Sequence, residues 1–356
     1  MDVHVYVGSY TEPPAGTGEG ISVFRFDPAS GGLTPVQTVG GVANPSFLAL
    51  GAGGRRLYAV EELDEGVVSA FARDAETGRL TFLNRQASGG AAPCYVSLDG
   101  SGRYALVANY GDGTVAALPI MADGRLEPAT GVVRHEGSSV HPERQAGPHA
   151  HMIAPAPSGD LMLATDLGMD RILVYRLDGA TGRLLPNDRG PGSASADPGA
   201  GPRHVAFAPD GRDLYVINEL ASTLTSYDYD PGSGEMRARQ TVSTLPDGFD
   251  GESTCAHVAV SPDGRFVYGS NRGHDSIAIW AVDPASGELT PVGHEPTQGK
   301  DPRNFAIDPT GGWLLAANQR SDTIVAFRRD PASGTLAAAG PVTRTGSPVA
   351  IVFAGG

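Results

Sequence analysis

Residues 201–230 read GPRHVAFAPDGRDLYVINELASTLTSYDYD. Val205 and Phe207 sit in a short apolar run that stops at Pro209-Asp210-Gly211, a turn signal. Residues 214–217 form a β-branched and aromatic run that ends at Asn218-Glu219. Residues 223–229 alternate until Asp230-Pro231 ends them. The stretch therefore predicts strand, tight turn, strand, loop, strand.

The same pattern recurs along the chain. Residues equivalent to Pro202 are Pro45, Pro93, Ala150, Cys255, Pro302 and Pro348, spaced 46 to 57 residues apart. Seven second strands follow the pattern, at 5–9 (VYVGS), 57–61 (LYAVE), 106–109 (LVAN), 161–166 (LMLATD), 214–218 (LYVIN), 266–271 (FVYGSN) and 314–318 (LLAAN). Fourth strands follow turns such as DPASGGL and ATGRL. The second strand at 5–9 has no first strand before it. The missing one is 347–353 (SPVAIVF), at the far end of the chain. A period near 50, four strands per unit and termini that complete each other predict an all-β, seven-bladed β-propeller. Strand 347–353 closes the ring, and residues 1–356 form a single domain.

Composition narrows the function. The net charge is −14, with one lysine, Lys300, among 26 basic residues and no basic run. That argues against a nucleic-acid-binding surface, and an acidic chain is not expected to seek anionic membranes. An anionic substrate must be met by locally placed arginines. Two cysteines, Cys94 and Cys255, are too few for a disulfide framework and read as reduced, semi-buried thiols. The N-terminal MDVHVYVGSY enters a strand directly, and no apolar run is long enough to span a bilayer. The expected compartment is the cytoplasm. Two Gly-, Pro- and Ser-rich insertions, 134–147 and 187–201, break the period. They are expected to be surface loops or a rim over one mouth of the ring.

Strand direction gathers the starts of first strands and the ends of second strands at one mouth. The Asn and Asp residues ending the second strands read as strand terminators. Departures from the repeat are the better candidates for chemistry. These are His149, His151, Arg203 and Glu219 with Arg272 as catalytic residues, and His204, His257, Arg303, Asn271 and Gln319 as substrate contacts. His149 and His151 are two apart and are expected to face the same way. With no Cys or carboxylate at fixed spacing beside them, no metal and no cofactor is expected. Arg203 and Arg272 suit a carboxylate, a phosphate or a developing oxyanion, and an ion pair with Glu219 is the structural alternative. Beside two arginines, Glu219 is expected to stay ionised.

These residues resemble the lactonase-family seven-bladed propellers, which include bacterial 6-phosphogluconolactonase and fungal carboxy-cis,cis-muconate cyclase. The resemblance spans essentially the whole chain. It rests on VGSYT from Val7, GPHAH from Gly147, GPRH from Gly201, VINEL from Val216, SPDGRFVYGSNRGHDSIAIW from Ser261 and DPRNFAIDPTGGWLLAANQ from Asp301. It implies a site at the mouth bearing His149, His151, Arg203, Glu219 and Arg272. One departure stands out. Members of the family usually carry a histidine two residues before the serine of SPDG, where this chain has Ala259, and His257 lies two residues earlier.

The expected activity is hydrolysis of a sugar δ-lactone, 6-phosphogluconolactone by resemblance. The arginines would hold the anion or polarise the carbonyl, and His149, His151 or Glu219 would activate water. Two alternatives stand beside it. One is a muconate-type cyclase acting on an unsaturated dicarboxylate, and the other is a non-catalytic binding propeller. The expected partner is thus a small anionic lactone or dicarboxylate.

Overall fold

The repeat is realised as strands throughout. The computed structural model describes residues 3–14 and 16–355. Among these, helix is limited to two three-residue 3-10 turns, Ala52–Gly54 and Gln319–Ser321. The strands form seven antiparallel sheets, each ordered as a simple meander from first to fourth strand. The stretch that opened the sequence reading becomes Pro202–Phe207, Asp213–Asn218 and Thr223–Tyr229, completed by Met236–Ser243. No helix among the described residues is long and apolar enough to cross a membrane.

The C-terminal strand, Pro348–Ala354, pairs antiparallel with Val3–Ser9, bringing Val5 opposite Phe353 and Val7 opposite Ile351. It supplies the first strand that the N-terminal sheet lacks, as the count of strands required.

The chain divides into two compact units. One holds residues 1–40, 204–228 and 238–356, and the other holds 41–203 and 229–237. In the first, Val5, Val7, Phe24 and Phe26 pack with Trp313, Leu315 and Ile324. A second cluster joins Tyr215, Ile217 and Leu224 to Val267 and Trp280. In the second unit, Tyr58, Val60 and Val68 meet Val96, Val107 and Leu118, and Leu106, Ala108 and Val115 meet Ile153, Met162 and Ala164. Each Val, Leu, Ile, Phe or Met side chain among them that is fully removed from water contributes about 1.5–3 kcal/mol. The alternation of β-strands puts every second residue into these layers.

Two features depart from the sequence reading. The insertion at 187–201 is not wholly a loop. Ser193–Ser195 pairs with Arg171–Leu177 alongside Leu184–Pro186, so the outer strand of that sheet is broken in two rather than replaced. The same break recurs at Leu336–Ala338 and Thr343–Arg344. Secondly, first strands do not alternate smoothly at their starts. A β-bulge lies between Pro93 and Tyr95, between Ala150 and Met152, between Cys255 and Val258, and between Pro302 and Asn304. The bulged positions are Cys94, His151, Ala256 with His257, and Arg303. A bulge leaves its residue out of the ladder and re-aims the side chain, so four positions expected to line the mouth are placed by the same irregularity.

Candidate functional site

In the second unit the candidates gather around Tyr110, the residue after the strand Tyr104–Asn109. The His149 ring stacks on the Tyr110 ring with centroids 4.5 Å apart, and His151 meets it edge-on at 5.6 Å. His149 Nδ1 lies 2.8 Å from the Tyr110 carbonyl oxygen. A carbonyl only accepts, so Nδ1 is the donor and Nε2 of the neutral ring carries the lone pair. His149 is half-buried and lies just before its strand, whereas His151 is buried, at the bulge, with Nδ1 3.7 Å from the Cys94 sulfur. The two histidines differ in depth, and both contact Tyr110.

The strand Leu161–Asp166 and the turn after it support this group. The His149 amide donates to Asp166 Oδ1 over 2.9 Å, and His135 Nδ1 donates to Oδ2 over 2.6 Å. Gly168 is needed here for space, because a Cβ would stand 2.0 Å from the Gly147 carbonyl oxygen. Arg203 is buried, and Thr165 Oγ1 donates to its carbonyl oxygen over 2.6 Å.

In the first unit, Glu219 and Arg272 form a salt bridge with Oε2 and Nη2 3.0 Å apart. The same Nη2 donates to the Cys255 carbonyl oxygen over 2.8 Å. Arg272 Nε is buried without a protein acceptor. The Cys255 thiol beneath is fully buried, and burial pushes its pKa up to about 12. It is a packed thiol rather than a nucleophile. His204 and His257 face each other with Nδ1 atoms 3.0 Å apart. Such a contact holds one proton, donated by one ring and accepted by the other. The His257 ring also packs edge-on against Phe305 at 5.1 Å. Arg303 lies over the Tyr10 ring, with its guanidinium carbon 5.3 Å from the centroid, and Gln319 is half-buried, its backbone N–H donating to the Asp301 carbonyl oxygen.

Asn271, expected as a substrate contact, is engaged within the protein. It is fully buried, and its Nδ2 donates to the Thr244 carbonyl oxygen over 2.7 Å and to Ser276 Oγ over 3.3 Å. Asn109 and Asn318 make the same reach, to the carbonyl oxygens of Ser88 and Thr297. These amides brace the connector from one sheet to the next. Among the described residues, no group of three or more His, Cys, Asp or Glu side chains stands close enough to hold a metal ion.

Sequence reasoning passed over Tyr110 and Asp170. The signal for Asp170 was positional. It lies four residues after its second strand, as do Ser222 and Asp322, with Asp275 three after its own, and all four have φ between 51° and 57°. Asn, Asp and Ser tolerate that left-handed conformation where a turn requires it.

The fold and the two polar groups define a seven-bladed propeller whose departures from its repeat collect histidine, arginine and glutamate. The sequence model of the family described as "Lactonase, 7-bladed beta-propeller" matches residues 4–353, and the chain belongs to this family. A Bacillus subtilis protein named 6-phosphogluconolactonase is 40% identical over 301 residues, covering 84% of this chain and 83% of its own. Another of that name, from Formosa agariphila, is 35% identical over 308 residues, with 85% of each chain covered. The solved structure of a periplasmic gluconolactonase from Pseudomonas aeruginosa is similar with a TM-score of 0.93. It is 36% identical, with 100% of this chain and 99% of that one covered.

Proposed function

We propose that this chain is a lactone hydrolase that opens 6-phosphogluconolactone. The observation that carries the chemistry is the 2.8 Å approach of His149 Nδ1 to the Tyr110 carbonyl oxygen. With Nδ1–H given to the Tyr110 carbonyl, Nε2 is left as the base. Membership of the lactonase family and the names of the relatives at 40% and 35% identity support the substrate.

Water attacks the lactone carbonyl carbon as His149 Nε2 takes its proton. The Arg203 guanidinium stabilises the negative charge that develops on the carbonyl oxygen. The ring C–O bond then breaks, the imidazolium returns the proton to the departing ring oxygen, and the product is an open-chain hydroxy acid. No redox step is involved. His151, and in the other unit Glu219, Arg272, His204, His257, Arg303 and Gln319, are carried as further candidates.

The test is a turnover panel with and without chelator. It uses 6-phosphogluconolactone, unphosphorylated aldonolactones and muconolactones on the wild type, His149→Gln, Arg203→Ala and Glu219→Ala. The phosphorylated lactone should be turned over best, and His149→Gln should lower kcat about 10²–10⁴-fold. Turnover that survives both His149→Gln and Arg203→Ala would remove the site assignment. Preference for a muconolactone would favour the dicarboxylate reading, and absence of any turnover would favour a binding propeller. We take the compartment to be the cytoplasm; the similarity to a periplasmic gluconolactonase makes cell fractionation the check.

A further inference from the structure

Asp170 lies in the turn between the strands Leu161–Asp166 and Arg171–Leu177, and it is buried although it carries a carboxylate. Its oxygens accept four hydrogen bonds. Oδ2 takes Ser139 Oγ–H at 2.5 Å and the Gly199 amide at 2.7 Å. Oδ1 takes the Gln145 side-chain amide and the Gly201 amide, both at 2.7 Å. Ser139 and Gln145 belong to the insertion at 134–147, and Gly199 and Gly201 to the insertion at 187–201. Both insertions are therefore fastened to one side chain.

The equivalent positions in other sheets do less. Asp275 Oδ1 accepts from the amides of Gly273 and Asp301 and its Oδ2 pairs with Lys300 Nζ at 3.0 Å, Asp322 accepts from Thr17 Oγ1 and the Ser347 amide, and Ser222 donates to the Ser253 carbonyl oxygen. Each fastens the approach to the next first strand. At Asp170 this common latch has been enlarged to reach two long insertions, and the strand it leads into begins Pro202-Arg203. Gly201 is fixed by Asp170 on one side of Arg203, and Thr165 Oγ1 fixes the Arg203 carbonyl oxygen on the other. The backbone carrying the guanidinium is thus held at both ends. Gln145, held by Asp170, also donates to the Leu167 carbonyl oxygen over 2.9 Å, and the Leu167 amide donates to the His149 carbonyl oxygen over 3.0 Å. The turn therefore couples the backbones of His149 and Arg203.

We propose that Asp170 is a positioning residue for lactone hydrolysis: its carboxylate fixes both insertions and so sets the place of the Arg203 guanidinium. The inference rests on the proposed lactonase activity. A carboxylate suits this task because it presents acceptors in four directions and competes with none of the donors. An asparagine keeps one acceptor oxygen for Gly201 and Gln145 but turns an NH2 toward the Gly199 amide.

A double-mutant cycle on the full-length protein decides it. Asp170→Ala should lower kcat/KM for 6-phosphogluconolactone about 10²-fold, the order expected for an ångström-scale misplacement of a catalytic group. In the Arg203→Ala background the same change should cost less than about threefold, because the group being positioned is gone. Asp170→Asn should keep activity within about tenfold of wild type, and it carries the same cycle if the alanine variant does not fold. Additive losses from Asp170 and Arg203 in an active enzyme overturn this inference alone. Failure of the wild type to turn over any lactone overturns the proposed activity and this inference with it.

Discussion

Arg272 shows how much one side chain can decide. A single Nη2 meets both the Glu219 carboxylate and the Cys255 carbonyl, and both charged side chains are largely buried. Removing one member of such a pair leaves the other charge in a poor solvent. Arg272→Ala should therefore lower unfolding stability by about 3–5 kcal/mol, and adding Glu219→Gln should recover a large part of the loss. Urea unfolding of the three variants checks this, and equal stabilities for the single and double variants would show that the pair is not coupled. The identity of Arg272 and Glu219 as departures from the repeat was legible in the sequence. Their partnership stood there only as one alternative, and which arginine takes Glu219 was decided by residues 53 apart meeting from two different sheets. His149 is a similar case. Its presence could be read from GPHAH, but which nitrogen carries the proton depends on a carbonyl 39 residues away.

At the scale of the element, the repeat and its irregularities have different origins. Strands, PDG turns and DPASG turns are specified by residues within a few positions of one another, so they could be read off directly. The bulges that place Cys94, His151, His257 and Arg303 have no such local mark. Each arises from the register between two strands, and a plain alternation rule passes over it. The asparagines ending second strands are the other shared device. Asn271→Ala removes one of two donors to the Thr244 carbonyl oxygen, which keeps His294 Nε2 at 3.0 Å, a loss of about 0.5–1.5 kcal/mol. It should lower the unfolding free energy measured in urea by that amount and leave KM for the lactone unchanged. A rise in KM without a stability change would return Asn271 to the substrate.

At the scale of the whole molecule, the chain's two ends are one element. Pro348–Ala354 lies on Val3–Ser9, buries Val349, Ala350 and Ile351, and is tied further by the Ile351 amide donating to Asn304 Oδ1 over 3.0 Å. Deleting residues 348–356 would open an edge along Val5, Tyr6 and Val7, all of which are fully buried. Exposed apolar edges pair with other chains. The truncated protein should lose its cooperative thermal transition by circular dichroism and elute as aggregate. A sharp transition near that of the full chain would show that the strand is dispensable. This interlock could be counted from the sequence, since seven second strands and a missing first strand leave only one partner for SPVAIVF. The strand pattern, its sevenfold recurrence and the joining of the termini follow from hydrophobic alternation and turn chemistry, which act over a few residues and survive in the bare order of the chain. The pairing of His204 with His257, the salt bridge of Arg272, the lone pair of His149 and the fastening of two insertions on Asp170 come from folding alone. They are hydrogen bonds between residues 25 to 53 positions apart, whose geometry exists only once the sheets have packed.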